Sequence, residues 1–459
     1  MRLGVLILAA GEGTRMQSRV PKVLHRLAGK PLLRHVIETA RSVTPDKITI
    51  VYGHGGEQVL EELDATDLDW VEQKERLGTG HAVMQAMPSL QQVDQVLILY
   101  GDVPLLSGST LVSLLAALHT TGLALLTVDL PDPTGYGRIV RDRDDRVVRI
   151  VEQKDANERE LDICEINTGI MAVRRDLLES WLDKLENRNA QNEYYLTDII
   201  AMAVADRVNI QVVHPVCEEE VMGVNDRIQL SYLERYYQTQ RANELMRSGV
   251  TLSDPARIDI RGTLKTGNDV FLDINTLFKG EVVLSDGVKV GPNVIIKNSS
   301  IGEHTEIMAN SIIEDAVIGA DCRIGPFARI RPETRLADAV HIGNFVELKK
   351  SQVATKSKIN HLSYVGDAIV GSEVNIGAGT ITCNYDGANK HRTVIGDRAF
   401  IGSDTQLVAP VTVAEGSTIG AGSTITKDTP ADTLTLSRSK QLSVEGWQRP
   451  VKQSKKSEG

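Results

Sequence analysis

From Ile318 onward the chain sets an aliphatic residue at every sixth position, Ile318, Ile324, Ile330, Leu336, Ile342 and Leu348, and the spacing returns at Ile395, Ile401, Leu407, Val413, Ile419 and Ile425. Shorter runs occupy Ile301, Ile307, Ile313 and Val370, Ile376. Six is neither a helical nor a simple strand period. It predicts a parallel β-helix, in which each short strand adds one inward aliphatic to a stacked column and no coil is stable without its neighbours. The register breaks between Leu348 and Ile359 and again between Ile376 and Ile395; the second break holds the polar stretch 382–391, which predicts a loop on one face. Irregular coils around 255–290 predict an atypical leading cap.

The first half reads differently. Continuous apolar runs at 3–10, 47–52 and 95–100, separated by helical patterns such as 31–37, predict buried parallel strands of an α/β sheet with ligands at their carboxyl ends. The run at 3–10 has the outline of a short signal peptide, but it is brief, continues into Gly11-Glu-Gly-Thr-Arg15, and fits a buried first strand better. Residues 228–248 place Leu230, Leu233, Tyr237 and Leu245 among Glu, Arg and Gln, a helical connector with one apolar stripe. The expected organisation is an α/β domain over 1–227, a helical linker over 228–248, and a β-helix with a C-terminal tail over 249–459.

A length of 459 residues, 41% hydrophobic and 24% charged, fits a soluble chain of two or three domains. The net charge of -10 argues against a nucleic-acid or anionic-membrane surface. No apolar stretch approaches the roughly 20 residues needed to span a bilayer. Cys164, Cys217, Cys322 and Cys383 share no metal-like spacing, which predicts free thiols in a reducing compartment. The basic run 452–456 lies in a polar tail expected to be disordered.

Candidate chemistry begins after the first strand. Gly11-Glu-Gly-Thr-Arg-Met16 has only two glycines of a GxGxxG pattern and no Walker lysine, so alone it reads as a strand-to-helix turn. Arg15 and Lys22 change that, because they put two cations beside backbone N–H groups able to cradle phosphates. The third run ends Leu97-Ile-Leu-Tyr-Gly-Asp102, setting a carboxylate at the sheet's functional edge; the alternative is an N-cap for a helix over 108–121. In the second half His361 sits at a register break, with Arg331, Lys349, Tyr364 and Asn375 on neighbouring coils, although a lone histidine is more often a plain surface residue.

Leu8-Ala-Ala-Gly-Glu-Gly-Thr-Arg-Met16 followed by Pro21-Lys22 resembles the signature of the sugar-phosphate nucleotidyltransferases. Gln73 with Gly78-Thr-Gly80, Tyr100-Gly-Asp102, Gly135-Tyr-Gly137, Glu152-Gln-Lys154, Asn167-Thr-Gly169, Glu193-Tyr-Tyr-Leu-Thr-Asp198 and Gly223-Val-Asn225 then fall in the order of one bacterial family. That family joins an N-acetylglucosamine-1-phosphate uridylyltransferase to a glucosamine-1-phosphate acetyltransferase, and the resemblance covers essentially the full chain. It implies a Rossmann-like, mostly parallel α/β domain followed by a left-handed β-helix of hexapeptide repeats. It also implies a cytoplasmic homotrimer that makes UDP-N-acetylglucosamine, a precursor of peptidoglycan and lipopolysaccharide. The substrates would be sugar phosphates, UTP and acetyl-CoA, with Mg²⁺, and neither nucleic acid nor membrane insertion would be involved.

For uridylyl transfer the resemblance implies Asp102 and Asn225 on Mg²⁺, Arg15 on the leaving pyrophosphate and Lys22 on the reacting phosphates. Gln73, whose amide offers one donor and one acceptor, would read uracil with Gly78 and Thr79. Glu152, Asn167 and Gly137 would hold the N-acetyl sugar, within a binding set that includes Leu8, Ala9, Ala10, Gly11, Tyr100 and Gly101; Gly137 reads equally as a turn glycine. For acetyl transfer His361 would be the general base, a role the chemistry asks for, since an ammonium cannot attack a thioester and imidazole titrates near neutrality. Arg331 and Lys349 would bind the sugar's phosphate, with Tyr364, Asn375, Asn384 and Tyr385 positioning substrates. Ala378, Asn384, Tyr385, Ser403, Ala421 and Arg438 match the acetyl-CoA side, Ala421 by position only. The arm after Lys427 is expected to reach a neighbouring subunit, and 193–195 reads as structural.

Two rival readings are a single-activity nucleotidyltransferase, such as a glucose-1-phosphate adenylyltransferase whose β-helix only assembles or regulates, and a non-catalytic subunit of a nucleotide-exchange complex. The first should lack the set His361, Tyr364, Asn384 and Tyr385; the second should have lost Arg15, Lys22 or Asp102. All are present.

Overall fold

The computed structural model describes residues 1–53, 55–63 and 66–452; of the basic run only Lys452 falls among them, so the expectation for 453–456 lies outside the described residues. Contacts divide the chain into two compact units, Met1–Glu244 with Ile260–Gly262, and Leu245–Asp259 with Thr263–Gly459.

In the first unit the apolar runs become strands β1 (Leu3–Ala9), β2 (Lys47–Tyr52) and, after β3 (Leu68–Glu72), β4 (Gln95–Tyr100). With β5 (Leu123–Asp129), β6 (Glu165–Arg174) and β7 (Ile210–Val213) they form a sheet in the order β7-β5-β6-β4-β1-β2-β3. Neighbours are parallel except at β6, which is antiparallel to both β4 and β5. Each residue of β1 is buried, because helices cover both faces and leave no strand side for polar residues. Val5 and Ile7 pack with Leu33 of α1 (Leu32–Ser42) and Leu111 of the helix Gly108–Thr120, whereas Leu6 and Leu8 pack with Ala82 and Val83 of α2 (Thr79–Ala86). The helix Gly108–Thr120 is capped by Ser107, whose hydroxyl accepts from the Thr110 N–H at 3.1 Å, so Asp102 is not its cap. The expected connector is a helix over Arg227–Arg247, and its Leu233 is buried with Met16, Leu27, Leu32 and Val224.

In the second unit Ile318 pairs with Leu336, Ile324 with Ile342 and Ile330 with Leu348. Three hexads therefore make one coil, and the fourth stacks on the first. One buried column runs through Ile324, Ile342, Ile359, Ile376, Ile401 and Ile419, each paired with the next. The break before Ile359 shortens a coil by one residue without disturbing the column; the break after Ile376 is an inserted turn, closed where His391 N–H donates to the Asn384 carbonyl at 2.8 Å. The leading coils, expected to be irregular, carry the same column through Leu252, Leu272, Val290 and Ile307. Hexads are present here too, Leu252, Ile258 and Leu264 and then Leu272, Phe278, Leu284 and Val290, so the cap is irregular only at the longer step from Leu264 to Leu272. Among the described residues no helix is long and apolar enough to cross a membrane, and all four cysteines are free.

Because a coil is stabilised only by the coils above and below it, a cavity in the column is costly. Ile359→Ala, at a fully buried position, is expected to lower the stability of the β-helix unit by about 2–5 kcal/mol in chemical denaturation. The transition of the first unit should stay where it is in the same experiment.

Candidate functional sites

Parallel register fixes what meets at the sheet's edge. Leu8 pairs with Tyr100, Ala9 with Tyr52, and Tyr52 with Glu72, so Ala10, Gln73 and Asp102 follow at the carboxyl ends of neighbouring strands. They open onto a cavity of about 490 Å³ lined by Leu8, Ala9, Ala10, Gly11, Lys22, Gln73, Gly78, Thr79, Tyr100 and Asp102, and also by Glu12, Arg76 and Glu193. Gly101 backs this wall, its N–H donating to the Leu8 carbonyl at 2.9 Å.

At the floor of the edge the Lys22 ammonium is hydrogen-bonded to Asp102 Oδ2 and lies 3.3 Å from Asn225 Oδ1. Two oxygen donors from distant segments thus converge on one cation. Val224 N–H donates to the Asp102 carbonyl at 2.9 Å and Gln229 Oε1 accepts from Asn225 N–H at 2.7 Å, so both loops are tied down. Gly13 is required here: its φ of +62° is left-handed, and a Cβ would sit 2.6 Å from Lys22 Cβ. Arg15, on the short turn Thr14–Met16, is exposed and faces Tyr136, whose hydroxyl is pushed up by burial and by Asp102 while Arg15 opposes the rise.

Gln73 is buried, but both of its amide contacts go inward: Nε2 lies 3.2 Å from the Gly78 carbonyl and 3.1 Å from His81 Nδ1. Its donor face is therefore occupied, which narrows the expectation of one donor and one acceptor for a base to the acceptor alone. The segment 193–195, for which sequence offered no role, clamps this turn. Tyr194 N–H donates to the Leu77 carbonyl at 2.7 Å, and its carbonyl accepts from Gly80 N–H at 2.8 Å. Two further cavity residues had no signal in the sequence, Glu12 and Arg76, which form an ion pair across the mouth.

On the neighbouring side Glu152 is half-buried and accepts from Thr197 Oγ1 at 3.0 Å, while burial pushes its carboxyl above the ordinary range. Asn167 N–H donates to the Gly137 carbonyl at 2.8 Å, and its Oδ1 accepts from Gly169 N–H at 3.1 Å. Gly169 has a φ of +82°, and the Tyr100 ring lies where a Cβ would be, so the position takes only glycine. Gly137 precedes the hairpin strand Arg138–Arg141, so both the turn reading and a place beside Glu152 describe it.

In the β-helix, residues two positions beyond the paired aliphatics Ile342, Ile359, Ile376, Ile401 and Ile419 form a row: Asn344, His361, Ala378, Ser403 and Ala421. Arg438 joins its end, Nη1 donating to the Ala421 carbonyl of its own chain at 2.7 Å. His361 Nδ1 is 2.9 Å from Asn344 Oδ1. A second cluster gathers Arg331, whose Nη1 donates to Glu347 Oε1 at 2.7 Å, with Lys349, Tyr364 and Asn384; Asn384 Nδ2 reaches Asp367 Oδ2 and, at 3.4 Å, Tyr364 Oη. Lys390, unmarked in the sequence, lies close to Lys349, and like charge against like pushes the Lys349 ammonium down, as does Arg331 to a lesser degree. Cations held this close, Arg331 and Lys349 half-buried and Lys390 exposed, suit an anion. Tyr385 is exposed beside this insertion, its hydroxyl donating to the Gly387 carbonyl at 2.6 Å. Asn375 is not in either group; it pairs with Lys358 and lines a separate hollow with Lys356 and Glu373.

Comparison with known families finds a MobA-like NTP transferase domain over residues 5–247, a GMPPB C-terminal domain over 262–343, and a bacterial transferase hexapeptide (six repeats) over 392–427. Among curated proteins, the Bifunctional protein GlmU of Nitrosospira multiformis is 60% identical over 455 residues, 99% of each chain. That of Methylococcus capsulatus is 58% identical over 458 residues, covering 100% of this chain and 99% of its own. That of Cellvibrio japonicus is 60% identical over 452 residues, 98% of this chain and 100% of its own.

The raised Glu152 carboxyl has a stability signature. A carboxyl whose folded pKa lies above its unfolded value binds more protons when folded, so its burial costs nothing below the unfolded pKa and costs progressively more as pH rises through the folded value. Glu152→Gln keeps an acceptor for Thr197 and removes the charge. Its Tm is expected to exceed wild type at pH ~7 and to match it at pH ~3.5, where both carboxyls are protonated. A difference unchanged by pH would show that the carboxyl is not desolvated.

Proposed function

The chain belongs to the GlmU family and is a bifunctional transferase, a uridylyltransferase in its N-terminal part and an acetyltransferase in its left-handed hexapeptide β-helix, and we propose how its residues divide the two reactions. The β-helix moves the acetyl group from acetyl-CoA to the amine of glucosamine 1-phosphate. The N-terminal part then joins N-acetylglucosamine 1-phosphate to UTP: a sugar-phosphate oxygen bonds to the α-phosphorus as the bond to pyrophosphate breaks. We assign the first-acting chemistry to 249–459, the second to 1–227, and connection to 228–248.

In-line phosphoryl chemistry needs alignment and charge neutralisation more than proton transfer. Arg15 steadies the leaving pyrophosphate and Lys22 the reacting phosphates, while backbone N–H groups of the turn at Gly11 approach closely because no side chain intervenes. Asp102 and Asn225 already present oxygens to one cation, the Lys22 ammonium, and a hard oxygen pair suits Mg²⁺, which when bound adds neutralising charge at the phosphates. Gln73, Gly78 and Thr79 meet uracil; Glu152, Asn167 and Gly137 meet the sugar.

For acetyl transfer, Asn344 Oδ1 accepts from His361 Nδ1, which leaves the Nε2 lone pair as the base that takes a proton from the attacking amine. Arg331 and Lys349 hold the phosphate, Tyr364, Asn384 and Tyr385 position the substrates, and Ala378, Ser403, Ala421 and Arg438 follow the acetyl-CoA chain, while Asn375, apart from both groups, is left without a role in this site. What carries the reading is the presence of two polar clusters in units with separate contacts, one around Lys22, Asp102 and Asn225 and one around His361. Asp102→Asn is expected to depress uridylyl transfer severely and leave acetyl transfer near wild type, with His361→Ala doing the reverse by about 10²–10⁴-fold. Acetyl transfer that survives His361→Ala would place the base elsewhere.

We also propose a cytoplasmic homotrimer built through the β-helix. In support, Phe327, Phe345 and Leu362 stand exposed in one column beside the His361 row, all with positive φ, and the two phenyl rings stack at 5.3 Å. Exposed apolar columns of this kind mark a face that another chain covers. Phe345→Asp should give monomers by light scattering and reduced acetyl transfer; an unchanged trimer would move the interface to another face.

A further inference from the structure

The Gln73 amide is oriented from two sides. The Gly78 carbonyl, 3.2 Å away, can only accept, so the atom facing it is the NH₂ group. The same nitrogen is 3.1 Å from His81 Nδ1, and its second hydrogen makes that ring nitrogen an acceptor. The imidazole proton is therefore on Nε2; Gln85 Nε2 stands 3.2 Å from it, donor against donor, and Gln85, being exposed, is the amide free to turn over and offer its oxygen instead. Tyr194 flanks the ring, with centroids 6.5 Å apart, on the segment that also bonds Leu77 and Gly80. Both Gln73 amide hydrogens are consumed inside the protein. Only Oε1, an acceptor, is left for the cavity that Gln73 lines.

We propose that His81 is a specificity-determining positioning residue: by accepting from Gln73 Nε2 it makes Gln73 show the base only its oxygen, which selects a pyrimidine whose N3 carries hydrogen. The proposal rests on the reading of this cavity as the UTP site. Uracil N3–H donates to Oε1. Cytosine sets an N3 lone pair against it, leaving a buried acceptor unpaired, and sites that demand a hydrogen bond reject ligands lacking it strongly. Turning the amide over would not rescue cytosine cheaply, since Oε1 would then face the Gly78 carbonyl, acceptor against acceptor, and His81 would have to move its proton from Nε2 to Nδ1.

The test is the ratio of kcat/KM for UTP to that for CTP, measured on the intact protein with N-acetylglucosamine 1-phosphate. A ratio is independent of how much of a variant folds. His81→Leu fills space without accepting and is expected to lower the UTP-over-CTP ratio about fivefold or more, the scale of one lost hydrogen bond. His81→Asn can set a side-chain oxygen where Nδ1 stood and is expected to restore most of the ratio. A wild-type ratio in His81→Leu, an Asn variant no better than Leu, or total loss of activity in both would overturn the proposal, because a positioning residue tunes selection and does not carry the reaction. Wild-type protein without uridylyl transfer would instead overturn the reading of the site itself.

Discussion

Parallel register is the constraint on which both sites depend. In a parallel pair the partner of residue i fixes the partner of every residue after it, so side chains that leave the ends of aligned strands meet without further instruction. Ala10, Gln73 and Asp102 emerge together because Leu8, Tyr52, Glu72 and Tyr100 are locked by β1, β2, β3 and β4. The row Asn344, His361, Ala378, Ser403 and Ala421 exists because Ile342, Ile359, Ile376, Ile401 and Ile419 stack. The buried aliphatics do the aligning in each unit, and the polar residues inherit it.

The two units use that inheritance differently. In the sheet, chemistry lies at strand ends, where loops bring Lys22, Asp102 and Asn225 onto one point, and small displacements of a loop matter. In the β-helix, the proposed chemistry lies along one side of the solenoid, spread over successive coils, which suits a long ligand lying across them. The inserted turn after Cys383 supplies what a straight solenoid lacks, bringing Asn384 over Tyr364 and Lys390 beside Lys349.

Much of this was legible in the sequence. The hexads gave the β-helix and its breaks, the three apolar runs gave β1, β2 and β4, and the glycine-rich turn with Lys22 and Asp102 pointed to the sheet edge where the cavity lies. Less legible were contacts that depend on where backbone atoms end up. The clamp of Tyr194 on Leu77 and Gly80 joins segments over a hundred residues apart through main-chain groups, which every residue type has. The His81 to Gln73 contact and the Glu12 to Arg76 pair use residue types too common to stand out. The leading coils carry hexads as well, Leu272, Phe278, Leu284 and Val290, but the longer step from Leu264 to Leu272 breaks the count from Leu252 and makes them read as irregular. Asn375 shows the opposite limit: its motif position is clear, yet it lies with Lys358 and apart from the His361 row.

The central claim is that one chain acetylates and then uridylylates the same sugar. Incubating the purified protein with glucosamine 1-phosphate, acetyl-labelled acetyl-CoA, UTP and Mg²⁺ tests it most directly, with the label followed by chromatography. Label should appear first in N-acetylglucosamine 1-phosphate and then in UDP-N-acetylglucosamine, stopping at the first product when UTP is withheld. Unlabelled UDP-glucosamine as the main product, or label that never leaves acetyl-CoA, would contradict the account.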